Sequence, residues 1–324
     1  MSEGLLWIVS PSYDDVPSFM ILRSRILDVI KTAPSLPQLA VRFIIIDDTA
    51  GNDDEIEELQ VFPDVRVITP PFNLGHQRAI VYGLRLVLSD MHESDLIVTM
   101  DADGEDLPED LPRLLEPLVA STAKRGTLCV ARRTKRSESL KFRILYTFFR
   151  TMFRILTGTT VRSGNYAAYR GWLATRILRH PYFDLCYSST LVSLDVAVTP
   201  IPCARGKRYA GRSRMSLLRL IMHGVRMLMP YTDRIAVRAL TAFSSTFGFG
   251  MLLALTVVGI RVFTNAKIPG WTTFTLLGFL ILSFIALGNF AVLFAVFSHS
   301  RGISLADLEE WEGISSSNAP TTPD

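Results

Sequence analysis

The stretch Met100-Asp101-Ala102-Asp103-Gly104-Glu105-Asp106 sets two carboxylates at i and i+2 directly after an apolar run. Carboxylates so spaced can share one hard divalent cation. Mg²⁺ and Mn²⁺ prefer oxygen ligands and are commonly held together with substrate phosphates. A cation there would neutralise a departing diphosphate. The same residues also read as an acidic turn, with Pro108 and Glu109 opening the next helix. A calcium-binding EF-hand loop is excluded. Its glycine belongs at loop position 6, and the twelfth residue here is Pro112 rather than glutamate.

Three further groups carry chemistry. Asp47-Asp48 closes the apolar run Val41–Ile46. A carboxylate there can accept from a base N–H or a ribose hydroxyl, or serve as a turn former. In Asn73-Leu74-Gly75-His76-Gln77-Arg78-Ala79, Gly75 permits close backbone approach at a helix start, and Arg78 can reach a phosphate. Arg205, Arg208, Arg212 and Arg214 crowd ten residues, with Gly206 and Gly211 allowing a loop. Guanidinium forks bind phosphate oxygens bidentately.

The elements that must position these groups follow from periodicity. Leu5–Val9, Val41–Ile46, Val65–Ile68, Leu96–Met100 and Leu128–Ala131 read as buried strands. Met20–Ile30 and His76–Leu88 read as helices, and Asp53–Leu59 as a short one. Strands alternating with helices imply an α/β fold with a mostly parallel sheet and helices on both faces. Pro11, Tyr13, Asp15, Asp47, Asp48, Asp101 and Asp103 all follow strand ends, the edge at which open parallel sheets bind ligands.

Charge and hydropathy are segregated along the 324 residues. The net charge is only +3, yet residues 1–140 carry 14 basic and 23 acidic side chains, 141–238 carry 17 and 3, and 239–324 carry 3 and 5. The middle third therefore faces something anionic, and nothing resembles a nucleic-acid coat. Lys141–Leu156 and Ser216–Met229 alternate basic and apolar residues at helical spacing, as interfacial helices do. Packing against a partner or the membrane helices is the alternative. Ala239–Phe263 and Trp271–Phe297 are long and apolar enough to cross a bilayer. The short connection between them makes a hairpin, through which homo-oligomers could form. Arg226, Arg234, Arg238 and Arg301 put both its ends on the cytoplasmic side of the cell membrane. The expected organisation is a catalytic domain over 1–235 with interfacial helices near 141–157 and 213–230. A transmembrane hairpin over 236–300 and a flexible cytoplasmic tail over 301–324 follow. The start of the chain does not read as a signal peptide. The three cysteines lack zinc or disulfide spacing.

The motifs occur in a known order. Ser-Pro-Ser-Tyr13-Asp-Asp, Ile-Ile-Asp47-Asp48, Asn73-Leu-Gly-His and Met-Asp101-Ala-Asp103 resemble the family 2 glycosyltransferases of the GT-A fold. Ser163-Gly164-Asn165-Tyr166 and the stretch from Arg208 to Leu217 extend the likeness, and the terminal hairpin is similar to the dolichol- and undecaprenyl-phosphate sugar transferase branch. The resemblance implies an inverting enzyme that moves a sugar from a nucleotide-sugar donor to a lipid acceptor such as a polyprenyl phosphate, with Mg²⁺ or Mn²⁺. Pro11, Tyr13, Asp15, Asp47, Asp48, Asn73, Gly75, Arg78, Asp101 and Asn165 would bind the nucleotide-sugar. Asp101 and Asp103 would hold the metal. Asp106, Arg208 and Arg212 would join them in catalysis, and Arg205, Arg208, Arg212 and Arg214 would meet the acceptor phosphate. The branch's Gly-Asp-Phe is Gly164-Asn165-Tyr166 here, so one carboxylate is missing, and the Gln-x-x-Arg-Trp stretch of processive synthases is absent. A phosphate acceptor is already anionic and needs cations rather than a base, which the basic middle third supplies. Three other readings stay open: a hydroxyl acceptor, an inactive nucleotide-sugar-binding scaffold, and a dehalogenase-type Mg²⁺ phosphatase. The phosphatase opens on strand-Asp-x-Asp-Gly, but at its first strand and with Thr or Val where Glu105 stands.

Overall fold

In β1 (Gly4–Ser12), Leu6 and Ile8 enter one core layer and Trp7 and Val9 the other, as the two-residue period of a strand dictates. The computed structural model describes residues 4–36, 39–120, 126–133, 140–160, 163–194, 196–209, 217–264 and 270–298. The chain divides into two units, Met1–Arg154 with Thr159–Pro230, and Ile155–Gly158 with Tyr231–Asp324.

In the first unit, α1 (Val16–Thr32) buries Val16, Phe19, Leu22, Ile26 and Ile30, one stripe of a helix. Then come β2 (Leu39–Asp47), β3 (Val65–Ile68), α2 (His76–Val87), β4 (Leu96–Thr99), α3 (Leu111–Val119) and β5 (Thr127–Arg133). They are followed by α4 (Leu140–Thr157), β6 (Ser163–Arg170), α5 (Gly171–Ile177), α6 (Tyr187–Ser193), β7 (Ala197–Cys203) and α7 (Leu217–Leu228). The sheet runs β3-β2-β1-β4-β6-β5-β7. Its pairs are parallel except those of β6, which is antiparallel to β4 and β5. One layer packs α1 and α3 on the sheet, through Phe19, Leu22, Leu111 and Leu114. The other packs α2, α5 and α6, through Ile80, Leu84, Leu173 and Tyr187. Both faces are thus covered, as the alternation of elements implied.

The register aligns the site. Ser12 lies opposite Asp47, and Val9 opposite Thr99, so β1, β2 and β4 end along one edge. Five strands were legible as apolar runs; β6 and β7 were not. Small residues fill the middle of β6, at Ala167 and Ala168. β7 contains Pro200 and Pro202, tolerated because it is the outermost strand. The acidic segment expected as a helix over 53–59 is a 3-10 turn at Ile56–Val61.

Helices α4 and α7 meet where Gly224 faces the Phe149 ring. A Cβ there would come within 2.8 Å of it. Phe148 on α4, and Ile221, Met222 and Val225 on α7, remain exposed.

The second unit is built on a pair of helices, α8 (Thr232–Phe263, 32 residues) and α9 (Trp271–Ser298, 28 residues). Each is long and apolar enough to cross a membrane. Gly250 of α8 packs on Ser283 of α9, with room for no side chain: a Cβ would stand 2.7 Å from Ser283 Oγ. Phe249, Leu252 and Leu255 on α8, and Phe274, Phe284 and Ile285 on α9, stay exposed, the pattern of a lipid-facing surface. α8 starts earlier than the apolar run at Ala239, with Asp233 in its first turn, where a carboxylate suits the helix dipole. The expected tail over 301–324 lies outside the described residues.

Candidate active site

Asp47 ends β2 as a turn former. It accepts from Thr49 N at 3.0 Å, Thr49 Oγ1 at 2.5 Å and Gly51 N at 3.1 Å, so both its oxygens serve the loop. Asp48 ties that loop to the next. Its Oδ1 accepts from Leu74 N at 2.6 Å and Gly75 N at 3.2 Å, while Asn73 Nδ2 donates to its carbonyl at 2.6 Å. Gly75 has a φ of +78°, which only glycine adopts without strain. Burial pushes the Asp48 carboxyl above its ordinary range, against the pull of the Leu74 and Gly75 N–H groups. Pro11 and Asp15 lie near this edge half-buried, Asp15 at the start of α1, and Tyr13 is exposed. Arg78 is half-buried on α2.

The acidic stretch after β4 folds on itself. Asp101 N donates to Asp106 Oδ2 at 3.1 Å, and Glu105 N to Asp103 Oδ1 at 2.9 Å. Burial, then the charge of Asp101, pushes the Asp103 carboxyl up to about 6 and the Asp106 carboxyl up to about 7. The carboxyls of Asp103 and Asp106 thus carry the cost of burial and of the neighbouring Asp101 charge, which Arg208 and Arg133 offset only in part. Among the described residues no three His, Cys, Asp or Glu side chains gather as a complete metal cage. Two carboxylates with the remaining positions left to phosphate oxygens and water is the arrangement that suits Mg²⁺ or Mn²⁺. Asp101 and Asp103 fit that role.

Arginines close over this stretch. Gly206 N donates to Glu105 O and Tyr209 N to Asp103 O, each at 2.9 Å, laying residues 205–209 along 103–106. Arg208 Nη2 stands 2.7 Å from Asp103 Oδ2 and its Nε donates to Glu105 Oε1 at 3.2 Å. Arg205 pairs with Glu105 at 2.7 Å. Burial acts to raise the Glu105 carboxyl, but Arg205, Arg133 and Arg208 outweigh it and hold it below its usual range. Arg208 therefore sits on the motif itself. Arg212 and Arg214 lie outside the described residues.

Several participants were not legible in the sequence. Arg133, at the end of β5, pairs with buried Asp106 at 3.1 Å. Arg25 of α1 donates to Tyr209 Oη at 2.9 Å and pins the arginine loop from the far side. Gln77 reaches Asn165, whose Nδ2 donates to Asp101 Oδ1 at 3.0 Å. Asn165, a candidate contact of the nucleotide-sugar, thus lies beside Asp101. No local signal marks Arg133 or Arg25, because each meets its partner only through the fold, whereas Asn165 was already a candidate from the sequence.

Residues 8–174, covering β1 to α5, match the family model described as Glycosyl transferase family 2. The chain belongs to glycosyl transferase family 2. Membership makes it a transferase and removes the phosphatase alternative, whose motif belongs on a first strand and not on the fourth. Relatives align over most of the chain. The undecaprenyl-phosphate 4-deoxy-4-formamido-L-arabinose transferase of Pectobacterium atrosepticum is 26% identical over 291 residues, covering 85% of this chain and 82% of that protein. The protein of the same name from Photorhabdus laumondii is 27% identical over 304 residues, covering 87% and 86%. Among solved structures, GalNAc-T7 with UDP, GalNAc and Mn2+ aligns at a TM-score of 0.42 and 11% identity, covering 70% of this chain and 48% of that one. S. aureus TarS 1-349 aligns at 0.40 and 11% identity, covering 73% and 65%.

Proposed function

We propose that this family 2 glycosyltransferase moves a sugar from a nucleotide-diphosphate-sugar to a polyprenyl phosphate at the cytoplasmic face of a cell membrane. One observation carries the reading: guanidiniums of Arg205 and Arg208 converge on the carboxylates after β4, in a chain that also carries two bilayer-length helices. The near full-length alignment with undecaprenyl-phosphate sugar transferases supports the acceptor class.

The edge formed by Pro11, Tyr13, Asp15, Asp48 and the Asn73–Gly75 loop receives the nucleoside. Asp47 shapes that edge through Thr49 and Gly51. Asp101 and Asp103 would hold a divalent cation, which when bound would neutralise charge on the leaving diphosphate. Arg78 would meet phosphate oxygens. An oxygen of the acceptor phosphate forms the new bond to the anomeric carbon as the bond to the nucleoside diphosphate breaks on the opposite face, inverting the configuration. The acceptor is anionic at neutral pH and gives up no proton in the step. Arg205, Arg208, Arg212 and Arg214 would offset the repulsion between its phosphate and the donor's. Asp106 is 3% exposed and paired with Arg133, so it supports the site from within. The outward apolar residues of α4 and α7 lie in the headgroup region, bringing a lipid phosphate to this depth.

The test is a screen of nucleotide-sugars with the purified full chain and a polyprenyl phosphate, read by mass of the lipid product. One sugar added to the lipid phosphate is expected. No lipid product from any donor would overturn the proposal.

A further inference from the structure

We propose that Gln77, acting through Asn165, is a positioning residue for Asp101. The proposal rests on the reading of Asp101 and Asp103 as the metal contacts. Gln77 sits in the first turn of α2 and is 7% exposed; Asn165 sits on β6 and is 6% exposed. A glutamine buried on a helix is costly unless both ends of its amide are satisfied. Here they are, and in one direction only.

Gln77 Oε1 accepts from Ser188 N at 2.8 Å and from Cys186 Sγ at 3.5 Å. Both partners are donors, so the oxygen must face α6 and the NH2 must face Asn165 Oδ1, to which it donates. Asn165 is thereby oriented too: its oxygen is taken by Gln77, and its NH2 points at Asp101 Oδ1, 3.0 Å away. The backbone of Asn165 is fixed independently. Thr99 Oγ1 donates to its carbonyl at 2.5 Å and lies 3.0 Å from Tyr187 Oη, which donates to Tyr169 Oη at 3.1 Å.

The polarity matters for the site. An aspartate at 165 would set an acceptor against the Asp101 carboxylate. Asparagine instead holds Asp101 Oδ1 by a donated hydrogen bond, which fixes the rotation of that carboxylate. Among the described residues no group donates to Asp101 Oδ2, so that oxygen is the one left for a cation. Mg²⁺ and Mn²⁺ tolerate little departure from their preferred geometry, and loss of such supporting bonds typically weakens metal binding about 10- to 100-fold.

Three near-isosteric variants test this in the purified full chain, titrated with Mn²⁺ alone and read by the electron paramagnetic resonance of the free ion. Gln77→Met and Asn165→Leu are expected to raise the Mn²⁺ Kd about tenfold or more. They should lower kcat while changing the donor KM less than threefold. Gln77→Glu keeps the volume and the acceptor for Ser188 N, so it decides the matter if Gln77→Met does not fold. It cannot donate to Asn165 and should also weaken Mn²⁺, although its added charge alone would attract the ion. Variants that bind Mn²⁺ as tightly as the wild type, while Asp101→Asn loses it, would overturn the positioning role and leave the metal reading standing. Equal binding by wild type and Asp101→Asn would overturn the metal reading and this proposal with it.

Discussion

Gly206→Ala is expected to disable the enzyme without unfolding it. Gly206 passes so close to the acidic stretch that a Cβ would run into the carbonyl oxygen of Gly104 and stand 2.7 Å from Leu107 Cδ2. The first of these is backbone, so no rotamer change relieves it. The arginine loop must lift by at least about 1 Å to reach ordinary van der Waals separation. That strains the Gly206 N–Glu105 O and Tyr209 N–Asp103 O hydrogen bonds, each 2.9 Å, and draws Arg208 away from Asp103. A displacement of about 1 Å in a group that positions reactants can cost roughly 10²-fold in rate. Losing both hydrogen bonds outright costs about 2 kcal/mol at about 1 kcal/mol each, a fall in Tm below about 8 °C for a chain of this size. The assay is release of nucleoside diphosphate in the presence of polyprenyl phosphate, with a melting curve beside it and Lys207→Ala as the neighbouring control. Wild-type turnover in Gly206→Ala would refute the claim that the loop works in this register.

Asp101→Asn and Asp103→Asn should each abolish transfer with the fold intact, and chelation should do the same to the wild type; activity surviving all three would remove the metal from the account. Arg208→Lys should lower turnover at least tenfold in neutral detergent, because Arg208 spans Asp103 and Glu105 through two different nitrogens and one ammonium cannot. Full activity would leave these arginines as attractors of anionic lipid. A reporter fused at Asn265 should lie outside the cytoplasm and reporters at both termini inside; termini on opposite sides would mean that one of α8 and α9 does not span. Trp7→Phe should cost about 1–3 kcal/mol, seen as a lower Tm. It removes the 2.9 Å bond from Trp7 Nε1 to buried Asp95, and an unchanged Tm would contradict the importance of that pair.

The parts legible in the sequence are those with a local cause. β1 to β5 are β-branched or apolar runs that stop at polar residues, so their ends, and Asp47, Asp48, Asp101 and Asp103 with them, could be placed by spacing. α8 and α9 announce themselves by uncharged length. The rest depends on which residues the fold brings together. β6 is filled with small residues and β7 with prolines, so neither shows a strand pattern until β4 and β5 supply partners. Gln77 reads as one more polar residue at a helix start, and its role exists only because β6 sets Asn165 beside Asp101, 64 positions away in the chain. Arg133 and Arg25 likewise act across long separations. Asp47 and Asp48 show the division within one dipeptide. The first is absorbed by its own turn, while the second reaches Leu74 and Gly75.

The acceptor is the centre of the account, and a matched pair of lipids tests it most directly. The purified chain would be given the same nucleotide-sugar donor with a polyprenyl phosphate or with the corresponding polyprenol, and the product weighed by mass spectrometry. Transfer to the phosphate alone, with one nucleoside diphosphate released per sugar and none from Asp101→Asn, is the expected result. Efficient transfer to the free alcohol, with the phosphate left unmodified, would contradict it.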